Sequence, residues 1–233
     1  MKNESSVDLV GRILNANMTG KRELILAKTR EIGYAPEVQD FSYNGQAGQN
    51  IVARAIDSEE KQTVVTAHYD GPGAYDNAGG VAVALSLMEK AGRNKRKDLT
   101  FVFTDLEEQG QLGARAFLEK SDVSQIKSNV NLDGAGIGDC LIEVDNGKIE
   151  RLLPSVVGSN YYTKLQSDSD VFKANGIPSV HYATLSPREI EQFQQGQIPA
   201  TWLRVLYNQD GIKGINEGDI QSAANKLYSI LCQ

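Results

Sequence analysis

Residues 63–104 read TVVTAHYDGPGAYDNAGGVAVALSLMEKAGRNKRKDLTFVFT, and this stretch decides the fold. Thr63–Ala67 is a run of β-branched and small residues, Gly79–Glu89 is apolar nearly all round, and Leu99–Thr104 is again continuously apolar. A strand, a helix that must be buried, and a second strand of the central kind form the repeating unit of a parallel sheet covered by helices. Polar residues punctuate the unit. His68-Tyr69-Asp70 follows the first strand, Asp76-Asn77 precedes the helix, and Asp105-Leu106-Glu107-Glu108 follows the second strand.

Outward from this unit the alternation continues. Residues 7–16 and 21–33 are expected as amphipathic helices, the second closed by Gly33. Asn50–Ile56 reads as a strand forming a hairpin with Thr63–Ala67 across a polar turn. Beyond the unit come a helix near Leu112–Lys120 and strands near Asn129–Leu132 and Leu141–Val144. Ser169–Ala174 reads as a short helix and Pro178–Tyr182 as a strand. Ser186-Pro187 is a cap followed by proline at the first helical position, which predicts a helix from Pro187 to Gln194. A strand at Thr201–Tyr207 and a helix at Gly218–Leu231 complete the expectation. No repeat, low-complexity tract or linker interrupts the pattern, so residues 1–233 read as one α/β domain with a mostly parallel sheet flanked by helices.

Composition narrows the function. Hydrophobic residues make up 40% and charged residues 23%, a globular balance for a chain of 233 residues. The net charge of −6 argues against nucleic acid or an anionic membrane as partner, since both require clustered Lys and Arg. The basic run Arg93–Lys97 precedes a strand and reads as a solvated loop. Cys140 and Cys232 form no ligand or disulfide pattern. The polar opening Met1–Ser5, and the lack of any apolar run near the ~18 residues of a membrane span, lead to the expectation of a cytoplasmic protein.

The carboxyl ends of parallel strands share one edge, where ligands bind. His68, Asp70, Asp76, Glu107, Glu108 and Asp133 all fall at strand or helix ends that reach this edge. Such crowding of carboxylates is costly unless cations neutralise it, and a mixed His and carboxylate set suits Zn²⁺, with Mn²⁺ or Co²⁺ as substitutes. His68 and Asp70 lie two apart and face one side of an extended strand, so Asp70 can hold the imidazole in the tautomer a metal needs. Asp76 can bridge two metals or simply cap the helix. Glu107 and Glu108 point different ways, so one can bind metal while the other serves as general base. Each residue alone has a structural explanation; their joint order along the chain does not.

The segments His68-Tyr69-Asp70, Asp76–Gly80, Glu107–Ala114 and Asn131–Gly134 resemble the zinc aminopeptidase family that also includes glutaminyl cyclases. Ser167-Asp168 before Phe172, Gly176-Ile177-Pro178 and Asn216–Ile220 are similar to that family's later motifs, and the likeness runs from about Thr19 to the C-terminus. The resemblance implies a mixed sheet flanked by helices, of the phosphorylase/hydrolase-like type. It implies His68 and Asp133 on one zinc, Glu108 on the other, Asp76 between both, and Glu107 as general base. The implied activity is hydrolysis of N-terminal peptide bonds by an aminopeptidase or dipeptidase, on short peptides docked by a free N-terminal amine.

One element of the pattern is missing. The family's second zinc takes a late His, whereas residues 205–211 read VLYNQDG. His181, Tyr207, Asn208 and Asp210 are the substitutes on offer, and one or two zinc ions are compatible with the ligands present. A mononuclear hydrolase, a non-catalytic metal- or peptide-binding relative, and, ranked lower, a glutaminyl cyclase are the alternatives. Tyr161-Tyr162 reads as surface rather than substrate wall.

Overall fold

The computed structural model describes residues 4–43, 45–54, 60–145, 148–152, 156–157 and 166–232. Tyr161-Tyr162 and residues 55 and 56 lie outside them. Two helices lead, α1 (Ser6–Asn15) and α2 (Met18–Ile32), followed by β1 (Glu37–Tyr43), β2 (Gln46–Arg54) and β3 (Gln62–His68). A π-helical turn (Ala74–Gly79) opens α3 (Gly80–Arg93), and β4 (Leu99–Thr104), α4 (Leu112–Glu119) and β5 (Ile126–Leu132) follow. The remaining elements are β6 (Cys140–Asp145), β7 (Lys148–Leu152), β8 (Val156–Val157), α5 (Asp168–Ala174), β9 (Ser179–Leu185), α6 (Pro187–Gln194), α7 (Ala200–Leu206) and α8 (Glu217–Leu231).

Among the described residues the strands form one mixed sheet in the order β1-β2-β4-β3-β5-β9-β6-β7-β8. The centre, β4-β3-β5-β9, is parallel; the pairings outside it are antiparallel. The mixed α/β architecture expected from the sequence is therefore what the chain adopts. Side-chain alternation sends Val65, Ala67, Phe101, Phe103 and Leu132 into one core with α1, α3 and α8, and Val64 and Val102 into a second with Phe117 of α4 and Phe172 of α5. Burial on both faces explains why β3 and β4 read as unbroken apolar runs.

Local signals fix several boundaries. Asn17 caps α2 by accepting from Gly20 N, and Gly33 ends it in the left-handed region at φ 104°. Ser186 and Glu189 form a capping box around Pro187, so α6 occupies the predicted span.

Two expectations fail. β2 and β3 are not a hairpin: β4 lies between them, antiparallel to β2 and parallel to β3, so that the backbone groups on both of its edges are paired. The tight hairpin is β1–β2, and β1 was not expected because EVQDFSY is a largely polar edge strand. Thr201–Tyr207, rich in strand-forming residues, is the helix α7 instead. Trp202, Val205 and Leu206 lie at helical spacing on one face, and the helix buries Thr201 and packs Trp202 against Phe193 and Tyr75, tertiary packing that outweighs local propensity. No helix among the described residues is long and apolar enough to cross a membrane.

Candidate metal centre

Four chain segments meet at the carboxyl edge of the parallel strands. His68 is the last residue of β3 and only 2% exposed. Asp70 follows on the loop, and Asp76 sits in the π-helical turn. Past β4, Leu106 adopts a left-handed backbone (φ 55°) that turns the chain sharply and sets Glu107 and Glu108 over the edge. Asp133 follows β5 directly.

Close backbone approach brings Asp76 to Asp133. A Cβ on Gly79 would run into the carbonyl oxygen of Ala135, and one on Gly80 into that of Leu132. Glycine at both positions lets the start of α3 lie directly against the end of β5. Ala135 N then donates to Tyr75 O at 2.9 Å, and Gly134 N to Asp76 O at 3.4 Å.

His68 stands at the centre. Its Nδ1 lies 3.4 Å from Asp70 Oδ1 and 3.9 Å from Glu107 Oε2, while Nε2 lies 3.4 Å from Asp133 Oδ1. Nε2 is buried without a hydrogen-bond partner. Asp70 Oδ2 also accepts from Glu108 N at 3.1 Å, so one carboxylate ties the imidazole to the Glu107-Glu108 turn. The Asn77 amide donates to Asp76 Oδ2 at 2.8 Å and to Glu108 Oε1 at 3.4 Å, joining the two remaining acidic segments.

Burial and mutual charge interactions shift the titratable groups of the site in opposite directions. Burial, then repulsion from Asp133, pushes Asp76 up to about 8. Burial pushes Glu107 up to about 9, with His68 opposing and Asp133 adding to the rise. Burial by itself disfavours charged His68, but Asp133, Asp70 and Glu107 outweigh it and hold the imidazole well above the usual histidine range. Burial would likewise raise Asp133, yet the His68 charge keeps it low. The ligand atoms of His68, Asp76 and Asp133, and those of His68, Glu107 and Glu108, lie within 4.8 Å of one another. A buried imidazole nitrogen without a hydrogen-bond partner, grouped within 4.8 Å with the carboxylates of Asp133 and of Asp76, the latter held above its normal range, fits a divalent cation.

The four substitute-ligand candidates fare differently. His181 Nε2 donates to Asp133 O at 2.8 Å, so that nitrogen is engaged in holding the β5 end. Tyr207 is 69% exposed and lies outside the pocket. Asn208 lines the pocket. Asp210 also lines it, but its carboxylate accepts from Tyr75 N at 3.0 Å and Asp76 N at 2.9 Å, which makes it the cap of the π-helical turn. None of these four belongs to the two close ligand groups among the described residues.

Three further residues shape the site without having been singled out from the sequence for a role in it. Lys21, buried on α2, donates Nζ to the carbonyls of Tyr69 and Gly71 and so fixes the loop that carries Asp70. A lysine in an amphipathic helix gives no sign of this. Asn77 lies in the Asp76–Gly80 segment, but adjacency to Asp76 does not reveal that its amide also reaches Glu108. Asp168 is fully buried, accepts from Thr104 Oγ1 at 2.6 Å, and is pushed up to about 7 by burial. Its Ser-x-x-Asp setting reads as a helix start, which masks its position near Glu107.

The pocket encloses about 500 Å³ beside these residues. Among known proteins, the chain is 27% identical over 182 residues to a vacuolar membrane protease of Candida tropicalis, covering 69% of this chain and 20% of that protein. The chain thus spans about a fifth of the length of the curated relatives it matches. Its fold is similar to that of Porphyromonas gingivalis glutaminyl cyclase, with TM-score 0.71, 17% identity, and coverage of 98% of this chain and 96% of that one. It is also similar to an aminopeptidase from Aneurinibacillus sp. strain AM-1, with TM-score 0.53, 21% identity, and coverage of 80% and 48%. The sequence profile of Peptidase family M28 matches residues 50–225, and the chain belongs to that peptidase family.

Proposed function

We propose that this chain is a zinc-dependent exopeptidase of the aminopeptidase or dipeptidase type, acting on short peptides with a free N-terminus. The observation that carries the reading is the orphaned, buried Nε2 of His68 set among carboxylates, with Glu107 on the imidazole's other side. His68, Asp76 and Asp133 would hold one ion, and Glu108 offers a ligand for a second. When bound, zinc supplies Lewis acidity that polarises a scissile carbonyl and makes water a better nucleophile at neutral pH.

The chain's own residues do the rest. Asp70 keeps a proton on His68 Nδ1 and leaves the Nε2 lone pair free to bind a metal. Glu107 takes the proton of the attacking water and returns it to the leaving amine. Gln111 Nε2, donating to its Oε1 at 3.4 Å, helps orient it. Asp70, Asp76, Glu107, Glu108, Asp133 and Asp210 line the pocket, and no described lining residue is Lys or Arg. This favours a cationic N-terminal amine over a terminal carboxylate, and disfavours nucleic acid and anionic membrane surfaces. A cytoplasmic location is kept in the proposal, to be tested by fractionation, since the named relatives are membrane proteases.

The test is release of N-terminal residues from peptides by the zinc-reconstituted chain, with and without chelator, on free and N-acetylated peptides. Chelator-sensitive cleavage of free peptides alone supports the proposal. Cyclisation of an N-terminal Gln peptide without hydrolysis would replace it with the cyclase reading, and zinc binding without turnover with the non-catalytic one.

A further inference from the structure

The segment in which a late metal ligand was expected delivers something else to the pocket. Trp202, Val205 and Leu206 lie on one face of α7 at helical spacing, and all three line the pocket. Ile198 just before the helix, and Val144 and Ala183 from β6 and β9, complete an apolar wall. The one cation of α7, Arg204, is turned away, donating to Lys213 O at 2.8 Å and Thr201 Oγ1 at 3.2 Å.

The wall is built rather than incidental. Trp202 packs edge-on against Phe193, with ring centroids 5.5 Å apart. Its Nε1 donates to Tyr75 OH at 3.3 Å, and that hydroxyl donates to Thr184 O at 2.7 Å. Tyr75 directly precedes Asp76, so the aromatic floor is locked one residue from the carboxylate end. Ile198 and Leu206, by contrast, are 42% and 57% exposed. A single exposed aliphatic residue means little, but here two line the same concavity. A ligand that buries them would recover their hydrophobic free energy.

We propose that this wall selects peptides whose first residue carries a large apolar side chain, of the Leu or Phe class. This rests on the peptidase reading: the N-terminal amine lies at the carboxylate end while the side chain covers Trp202, Ile198 and Leu206. Small side chains leave the wall wet. Acidic ones face carboxylates with no Lys or Arg among the described lining residues, and the amide of Gln would lie against the apolar side chains of the described wall.

The experiment uses the zinc-reconstituted full chain and amino-acid para-nitroanilides of Leu, Phe, Ala, Gln, Glu and Lys. Burial of a large apolar side chain sets the expectation: kcat/KM for Leu and Phe exceeds that for Ala by about 10- to 100-fold. Ile198→Ala and Leu206→Ala, truncations at exposed positions, are expected to lower the Leu-to-Ala ratio by about threefold or more each. An Ala, Gln, Glu or Lys substrate that equals Leu and Phe, or a ratio unmoved in both variants, overturns the assignment. If no anilide is hydrolysed, the peptidase reading fails while the wall remains testable. Calorimetric binding of leucinamide and phenylalaninamide that is tighter than that of alaninamide then upholds it, and equal or absent binding overturns it.

Discussion

Asp210 distinguishes two accounts of the site, because it is either a cap or a substitute metal ligand. Its carboxylate accepts hydrogen bonds from Tyr75 N at 3.0 Å and Asp76 N at 2.9 Å, and its backbone carbonyl accepts from Ala74 N at 3.0 Å. In Asp210→Ala the backbone bond survives, but two amides lose a charged acceptor. Each such bond contributes about 1.5–3 kcal/mol, and loss of a helix cap costs about 0.5–2 kcal/mol. Water reaching the partly opened turn and relief of repulsion on Asp76 offset part of this, since the Asp210 charge helps to raise Asp76. The expected net loss is about 2–4 kcal/mol, a fall in Tm of roughly 5–15 °C for a chain of this size. Asp210→Asn keeps one acceptor oxygen and is expected to lose less than about half as much. The assay is chemical denaturation of the metal-free chain, paired with zinc titration of the same variants. A cap gives a large stability loss in Asp210→Ala and near-normal zinc affinity in Asp210→Asn. Unchanged metal-free stability in both variants, with zinc affinity lost in Asp210→Asn, would refute the cap and make Asp210 a ligand.

Other outcomes follow from the same geometry. Asp70→Ala removes the partner of His68 Nδ1 and the acceptor for Glu108 N, and should weaken zinc binding about 10- to 100-fold in a competition titration. Asp76 and Glu107 ionise near pH 8 and 9 in the folded chain but at about 4 when unfolded, so folding takes up protons and stability declines as pH rises through that window. His68, shifted upward, acts in the same direction: its contribution is present below about 6.5 and lost as pH rises through its folded value. The metal-free Tm should therefore fall between pH 6 and 9. Zinc uptake at neutral pH should release protons, seen as a buffer-dependent calorimetric enthalpy. Leu106→Val places a β-branched residue at φ 55° and should cost about 1–3 kcal/mol in urea denaturation, with the loss concentrated around the Glu107 turn in hydrogen exchange.

The legible parts of the fold are those where one physical signal dominates. Burial on both faces makes β3 and β4 unbroken apolar runs, and Ser186-Pro187 with Glu189 fixes the start of α6. Strand order was less legible, because the placement of β4 between β2 and β3 is a long-range pairing that leaves no mark on either strand. The sequence of α7 reads as a strand because Thr, Trp, Val and Tyr favour strands in isolation, while the packing of Trp202 against Phe193 and Tyr75 favours a helix. At the site, His68, Asp70, Asp76, Glu107, Glu108 and Asp133 were visible because each ends an element at the same sheet edge. The neutral and cationic residues that hold them, Asn77 and Lys21, were not visible. Their work consists of hydrogen bonds to carboxylates and carbonyls that only the folded chain brings within reach.

The central claim is that this chain uses a bound metal and Glu107 together to break peptide bonds at a free N-terminus. The most direct measurement is zinc content per chain with N-terminal residue release on the same samples, for the wild type and Glu107→Gln. The account predicts one or two zinc ions in both proteins and a fall in kcat of about 10²- to 10⁴-fold in the variant. Equal turnover in the two proteins, or turnover by a chain that retains no metal, would contradict it.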